Sequence, residues 1–176
     1  MTTPPERRFP RVGIGYDAHR FAPGRRMVLG GVEIAHDQGL EGHSDADVLL
    51  HAIADAILGA AALGDIGTHF PPGEPEWRNA DSGDLLRRTA LLLREHGWLV
   101  VNIDATVIAE APKVNPHADA MRRVIGACVG VADGAISVKA TTNEGMGFVG
   151  RGEGIAAIAT AMIVGLESTT GQEPEP

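Results

Sequence analysis

Between Arg26 and Arg78 the chain contains no lysine or arginine. The same stretch carries Glu33, Asp37, Glu41, Asp45, Asp47, Asp55, Asp65, Glu74 and Glu76, together with His36, His43, His51 and His69. A soluble surface normally intersperses both charge signs. Carboxylates and imidazoles gathered without basic partners offer hard oxygens and borderline nitrogens with no ammonium competing for them, which is what a cation site requires. The middle of the run is also too apolar to be a solvated acidic tail. The region is expected to hold a metal ion.

Two groupings give that expectation a shape. Asp17-Ala18-His19 follows a strand-like segment, and in extended backbone residues i and i+2 share a face, so both side chains can reach one ion. Alone, the pair is a weak signal and reads more readily as a loop aspartate and a surface histidine. The second grouping lies on a long helix expected from Ser44 to about Leu63, apolar nearly all round except for Asp47, His51 and Asp55 at i, i+4 and i+8. A helix facing water would carry lysine, glutamate or glutamine there. A narrow acid–histidine–acid stripe fits a ligand imidazole whose second nitrogen is oriented by carboxylates; a surface histidine paired with its neighbouring aspartates is the other reading. Asp17, His19 and His51 together make a two-histidine, one-carboxylate set that leaves a fourth position open, as catalytic zinc sites do.

Other segments have weaker claims. His43-Ser44-Asp45 sits at the expected helix N-terminus, where backbone N–H groups favour anions, and Gly64-Asp65-Ile66-Gly67 follows the same helix as a capping turn or a contact surface. Lys113, in a region poor in basic residues, suits a phosphate or bulk solvent. Thr141-Thr142-Asn143-Glu144 leads into a glycine-rich run to Gly154 that would allow close approach to phosphates. Gly145 to Gly150 matches G-x-G-x-x-G and Gly13 to Ala18 its alanine variant, but neither is followed by a sequence that sustains a helix, so neither is a dinucleotide fingerprint. No Walker lysine motif is present.

These residues need elements to hold them. Arg11 to Tyr16 alternates as a strand does, and Met27 to Leu29 and Val32 to Ile34 flank Gly30-Gly31 as a two-residue hairpin. Ser44 with Asp47 resembles a capping box, and Gly64 ends that helix. A second helix is expected from Ser82 to His96, closed by Gly97, a strand over Val100 to Ile108, a helix from Pro116 to about Val129, and a strand over Ala135 to Thr141. Gly154 to Val164 is ambiguous, since its alanines favour helix and its isoleucines and valine a buried strand. The order indicates one α+β (mixed α/β) domain over residues 11–166, with flexible ends at 1–10 and 167–176.

Composition bounds the function. The 176 residues are 44% hydrophobic and 22% charged, ordinary for a globular domain. A net charge of −8 argues against nucleic-acid binding, which rests on lysines and arginines neutralising phosphates. One cysteine, Cys128, excludes an internal disulfide and suits a reducing cytosol. With no long apolar stretch and no hydrophobic leader, a cytoplasmic protein without membrane contact is expected.

Five strings, in order, resemble the 2-C-methyl-D-erythritol 2,4-cyclodiphosphate synthases of the non-mevalonate isoprenoid pathway: RVGIGYDAHRF (11–21), LGGVEI (29–34), HSDADVLLHAIADAILGAAALGDIG (43–67), IAEAPKVNPH (108–117) and KATTNEGMGFVGRGEGIA (139–156). The resemblance spans roughly Arg11 to Leu166, and the long helical and final glycine-rich strings are its most specific parts. It implies a mixed β-sheet with helices on one face plus a β-hairpin, assembled as a homotrimer around a three-fold axis. It implies a lyase that cyclises 4-diphosphocytidyl-2-C-methyl-D-erythritol 2-phosphate and releases CMP. Asp17, His19 and His51 occupy zinc-ligand positions, and Glu144 the position for a second ion, Mg²⁺ or Mn²⁺. His43 and Thr142 match residues that align the transferring phosphoryl group. Ser44, Asp65, Ile66 and Gly67 match methylerythritol contacts, while Ala109, Lys113, Val114, Asn115, Ala140 and Thr141 match the cytidine-phosphate pocket. Phe148 and Arg151, with Glu153, match a central cavity where Arg151 holds an isoprenoid diphosphate or, alternatively, pairs with a carboxylate. Pro72-Gly73-Glu74 departs from the family's usual Asp-Thr-Asp. A metal-dependent phosphohydrolase and a non-catalytic trimeric ligand-binding protein are the competing functions.

Overall fold

A computed structural model describes residues 9–77 and 80–166. Of the ends expected to fray, 1–8 and 167–176 lie outside the described residues.

Strand β1 (Arg11–Pro23) runs past the expected Tyr16, so Asp17 and His19 lie inside it rather than after it. Strands β2 (Met27–Leu29) and β3 (Val32–Ile34) form the expected hairpin on Gly30 and Gly31, at φ 59° and 72°, the left-handed region a tight two-residue loop requires. A short strand that the residue pattern does not reveal, β4 (Gln38–Leu40), pairs with the end of β1. Helices α1 (Val48–Ala61), α2 (Ile66–His69) and α3 (Ser82–Glu95) follow, then β5 (Trp98–Ile108), α4 (Ala118–Val129), β6 (Ile136–Thr141), α5 (Gly147–Gly150) and β7 (Gly154–Gly165).

The ambiguous last segment is therefore a strand, and a central one. The main sheet has the order β4-β1-β7-β5-β6. β7 pairs antiparallel with β1 and with β5, while β5 and β6 are parallel and joined through α4. Along β7, Ala157, Ala159, Ala161 and Ile163 are buried and Ile158 and Thr160 are exposed. The period of two is real, but alanine and isoleucine occupy both faces closely enough to hide it.

The glycines of β1 explain how α1 reaches the sheet. A Cβ on Gly13 would lie 2.1 Å from the Ala56 carbonyl oxygen, and one on Gly15 would lie 2.0 Å from that of Ala52. Only glycine permits this approach. Gly13, Gly15, Asp17 and His19 share one face of the strand, so the contact that seats α1 also delivers its side chains to Asp17. Val12, Ile14 and Tyr16, on the other face, are exposed.

Two boundaries differ from expectation. α1 begins after Asp47 rather than at Ser44, because Ala46 adopts φ 60° and interrupts the helical path. It ends at Ala61, where Ala62 rather than Gly64 takes the left-handed capping conformation. No helix among the described residues is long and apolar enough to cross a membrane.

Candidate active site and metal centre

Asp17 Oδ2, His19 Nε2 and His51 Nδ1 converge. Asp17 Oδ2 lies 2.9 Å from His19 Nε2 and 3.0 Å from His51 Nδ1, and the two imidazole nitrogens are 3.3 Å apart. They are the one group of potential metal ligands with three convergent donor atoms among the described residues. All three side chains are partly buried. Burial would raise the Asp17 carboxyl, but hydrogen bonds and charge from His19 and His51 drive it well below the usual range. Burial would depress the His51 imidazole, and the hydrogen bond and charge of Asp17 outweigh it and hold its pKa above 6.5. The site thus gathers positive charge at one point, where a proton and a divalent cation compete. One oxygen and two nitrogens are the donors a divalent transition metal takes, so these residues fit such an ion.

The rest of the expected stripe does something else. Asp47 is fully buried and caps α1, accepting from Leu49 and Leu50 N–H at 3.1 Å each. It also accepts from Gly30 N at 2.9 Å and Gly31 N at 2.7 Å. Asp55 accepts from Ile66 N at 2.8 Å and so fixes the start of α2. Neither carboxylate orients the His51 ring. The first N–H groups of α1 are likewise engaged by Asp47 and are not free for an anion at His43 to Asp45. The groups that do face His51 Nε2 are Ser82 Oγ at 2.9 Å and Ser44 Oγ at 3.3 Å.

Beside the cluster is a cavity of about 200 Å³ bordered by His19, His43, Ser44 and His51 on its polar side. Ile66, Gly67, Phe70, Pro72 and Trp77 supply an apolar wall. Phe70 and Trp77 meet edge-to-face, and the Arg88 guanidinium lies over the Trp77 ring at 5.2 Å. Arg25, just outside the arginine-free stretch, donates to the carbonyls of Gly42 (2.8 Å) and Ser44, pinning the loop that carries His43. Asp65 caps α2 through Thr68 N at 2.8 Å.

Ala109, Lys113, Val114, Asn115, Ala140 and Thr141 border a different cavity, of about 190 Å³, together with Pro112 and Thr142. It opens off the ends of β5 and β6. Strand β1, which carries Asp17 and His19, is three strand spacings from β6, about 14 Å, and the two cavities share no lining residue. Thr142 Oγ1 donates to Glu144 Oε1 at 2.8 Å, and Glu144, at φ 50°, stands outside the three-ligand group. The residue positioning this loop had no sequence signal: Glu110 Oε1 accepts from Asn143 N at 3.0 Å and Gly145 N at 3.2 Å. Arg151 Nε pairs with Glu153 Oε1 at 2.6 Å, the carboxylate alternative, with Phe148 part-exposed nearby in sequence.

Known proteins resemble this chain over most of its length. A 2-C-methyl-D-erythritol 2,4-cyclodiphosphate synthase of Symbiobacterium thermophilum is 64% identical over 154 residues, covering 88% of this chain and 98% of the relative. One from Moorella thermoacetica is 56% identical over 161 residues, covering 92% and 99%. Among solved structures, IspF of Plasmodium falciparum in complex with CDP superposes with a TM-score of 0.78 at 32% identity, covering 90% of this chain and 97% of that one. The bifunctional IspDF of Campylobacter jejuni gives 0.87 at 40% identity over 91% of this chain, which spans 43% of that longer protein. The model of the YgbB family matches residues 10–164, and the chain belongs to that family.

Proposed function

We infer that this chain cyclises 4-diphosphocytidyl-2-C-methyl-D-erythritol 2-phosphate to 2-C-methyl-D-erythritol 2,4-cyclodiphosphate and releases CMP, a phosphorus–oxygen lyase step in isoprenoid precursor synthesis. The observation carrying this is the 64% identity, over almost the whole relative, to a protein of that activity. The convergence of Asp17, His19 and His51 agrees with it.

In the reaction an oxygen of the 2-phosphate bonds to the β-phosphorus. The bond from that phosphorus to the bridging oxygen breaks, and CMP leaves with the oxygen. A phosphate oxygen is already anionic, so the chain needs no general base; its task is alignment and charge neutralisation. In this proposal Asp17, His19 and His51 hold Zn²⁺ or another divalent transition metal, and Glu144 holds Mg²⁺ or Mn²⁺. When bound, such ions neutralise phosphate oxygens and clamp the attacking and leaving groups. His43 and Thr142 align the transferring group. Ser44, Asp65, Ile66 and Gly67 hold the methylerythritol part against the apolar wall of Phe70 and Trp77. Lys113 neutralises the cytidine phosphate, and the backbone around Ala109, Val114, Asn115, Ala140 and Thr141 encloses the base and ribose. The protein works in the cytoplasm.

Turnover in oxygen-18 water is expected to give CMP and cyclic diphosphate in equal amounts, with no label in the ring. The internal phosphate outcompetes water through its effective concentration. Label incorporated during turnover would instead identify a phosphohydrolase.

We also propose a homotrimer with its sites between subunits. Val12, Ile14 and Tyr16 leave an apolar stripe on the sheet face opposite the helices, and Val12 and Tyr16 lie beside Met162 and Ile158 in the β1–β7 register. A monomer rarely exposes such a face. Each cavity, at about 200 and 190 Å³, is also below the roughly 300–1,000 Å³ usual for a ligand of this size. The metal cavity of one subunit therefore meets the cytidine cavity of the next, and Phe148 and Arg151 border a central cavity for an isoprenoid diphosphate. Mixing inactive His51→Ala subunits with inactive Lys113→Ala subunits is expected to restore activity, since some mixed trimers regain an intact site. Proven subunit exchange without recovery, or a one-chain mass by light scattering at micromolar concentration, overturns the arrangement.

A further inference from the structure

His51 has two ring nitrogens, and only Nδ1 faces Asp17 and His19. Nε2 faces away, 2.9 Å from the hydroxyl of Ser82. Ser82 is the first residue of α3 and is 1% exposed. Asp45 grips it with both oxygens: Oδ1 accepts from the Ser82 hydroxyl, and Oδ2 accepts from the Ser82 backbone N at 3.1 Å. The Asp45 backbone N in turn donates to the Ala80 carbonyl at 3.2 Å, so the loop before α1 is fastened to the start of α3.

We propose that Ser82 and Asp45 are positioning residues for the metal centre, fixing the His51 ring and its tautomer; this rests on the reading of Asp17, His19 and His51 as metal ligands. The proton assignment follows from the chemistry of each group. A carboxylate can only accept, so the single Ser82 proton goes to Asp45. The Ser82 oxygen is then left as an acceptor, and the donor facing it is His51 Nε2–H. Without an ion, Nδ1 also carries a proton, which it donates to Asp17 at 3.0 Å. When a cation takes that proton's place the imidazole is neutral with a single N–H, and holding that N–H on Nε2 leaves the Nδ1 lone pair for the cation. Outer partners of this kind orient metal-bound histidines in general, through a carboxylate, carbonyl or water. Here a serine is interposed, and the anchoring carboxylate lies on a different element from the imidazole. Ser44 Oγ, at 3.3 Å, accepts from Ala46 N at 3.0 Å and is a secondary neighbour of Nε2.

A merely structural link between the loop and α3 would also use these bonds, so the test separates ring positioning from stability. Zn²⁺ is titrated into metal-free full-length protein against a chelating dye, and the metal-free melting temperature is measured beside it. Ser82→Ala, which keeps the Cβ, is expected to weaken Zn²⁺ binding by about 10- to 100-fold. In the zinc-loaded wild type, nitrogen NMR should show His51 protonated at Nε2, with its ring proton protected from solvent exchange; the protection should be lost in Ser82→Ala. Should that variant fail to fold, Asp45→Asn carries the test. Its amide can donate to Ser82 and release the hydroxyl proton toward Nε2, so weaker Zn²⁺ binding is again expected. Wild-type Zn²⁺ affinity in a folded variant of either position, with or without a lower melting temperature, overturns the proposal. His51→Ala in the same titration distinguishes the underlying reading, because wild-type affinity there removes His51 from the ligand set.

Discussion

His51→Ala is expected to abolish turnover, by at least about 10³-fold, and to reduce bound zinc to background while leaving the protein folded. One of three convergent ligands is removed, and an ion held by Asp17 and His19 alone loses both affinity and a fixed position. The rest of the molecule has little reason to change. The His51 ring makes polar contacts to Asp17, Ser82 and Ser44 rather than core packing. Asp17 keeps His19 at 2.9 Å, and α1 keeps its apolar contacts with the sheet. Alanine is also the best helix former. Metal analysis, a steady-state assay and a thermal melt of the metal-free protein check the three parts separately. Full zinc occupancy in a folded, inactive variant would mean that His51 acts on substrate rather than on metal.

The convergence of Asp17, His19 and His51 was legible because two local rules act over short distances. Residues i and i+2 of a strand share a face, and one histidine on an otherwise apolar helix has few places to point. The roles of Asp47 and Asp55 were not legible, although the same i±4 spacing implicated them. Whether a carboxylate four residues before an imidazole meets the ring or the backbone depends on where the helix begins. Here the φ of 60° at Ala46 decides that, and nothing in the residue type of alanine announces it. Gly13 and Gly15 marked a strand in the sequence, but their use, making room for the Ala52 and Ala56 carbonyls, depends on a helix some 40 residues away. Ser82 and Asp45 lie 37 residues apart and look like ordinary helix-start residues until the fold joins them. The cavity proposed for cytidine gives the opposite lesson. No periodicity groups Ala109 to Asn115 with Ala140 to Thr142; family resemblance grouped them, and the parallel β5–β6 register brings Ile108 beside Thr141.

Asp47→Ala is expected to destabilise the fold more than the removal of any metal ligand, by about 3–5 kcal/mol near pH 7. Four backbone N–H groups converge on this one buried side chain. Oδ1 accepts from Gly30, Leu49 and Leu50, and Oδ2 accepts from Gly31. The two leucines are the open N-terminus of α1, and the two glycines are the loop of a hairpin that pairs with no other strand among the described residues. A two-stranded hairpin is marginal alone, so Asp47 is the polar tie that docks it on the helix. Alanine would leave the four donors without that partner, and a melting-point drop on the order of 10 °C should follow. Asn keeps the shape but must turn an NH₂ toward one of the N–H groups, so Asp47→Asn is expected between Ala and wild type. The pH dependence has a definite sign. Burial pushes the Asp47 carboxyl from 3.8 up to about 6, against the pull of the glycine and leucine N–H groups. Ionisation in that interval therefore costs the folded state. The lead of wild type over Asp47→Ala is greatest near pH 4 and shrinks as pH rises through 6. Denaturant melts of the three proteins at pH 4.5 and 7 test both statements. An Asn variant more stable than wild type at pH 7 would mean that the cost of burying the charge exceeds the worth of the four hydrogen bonds.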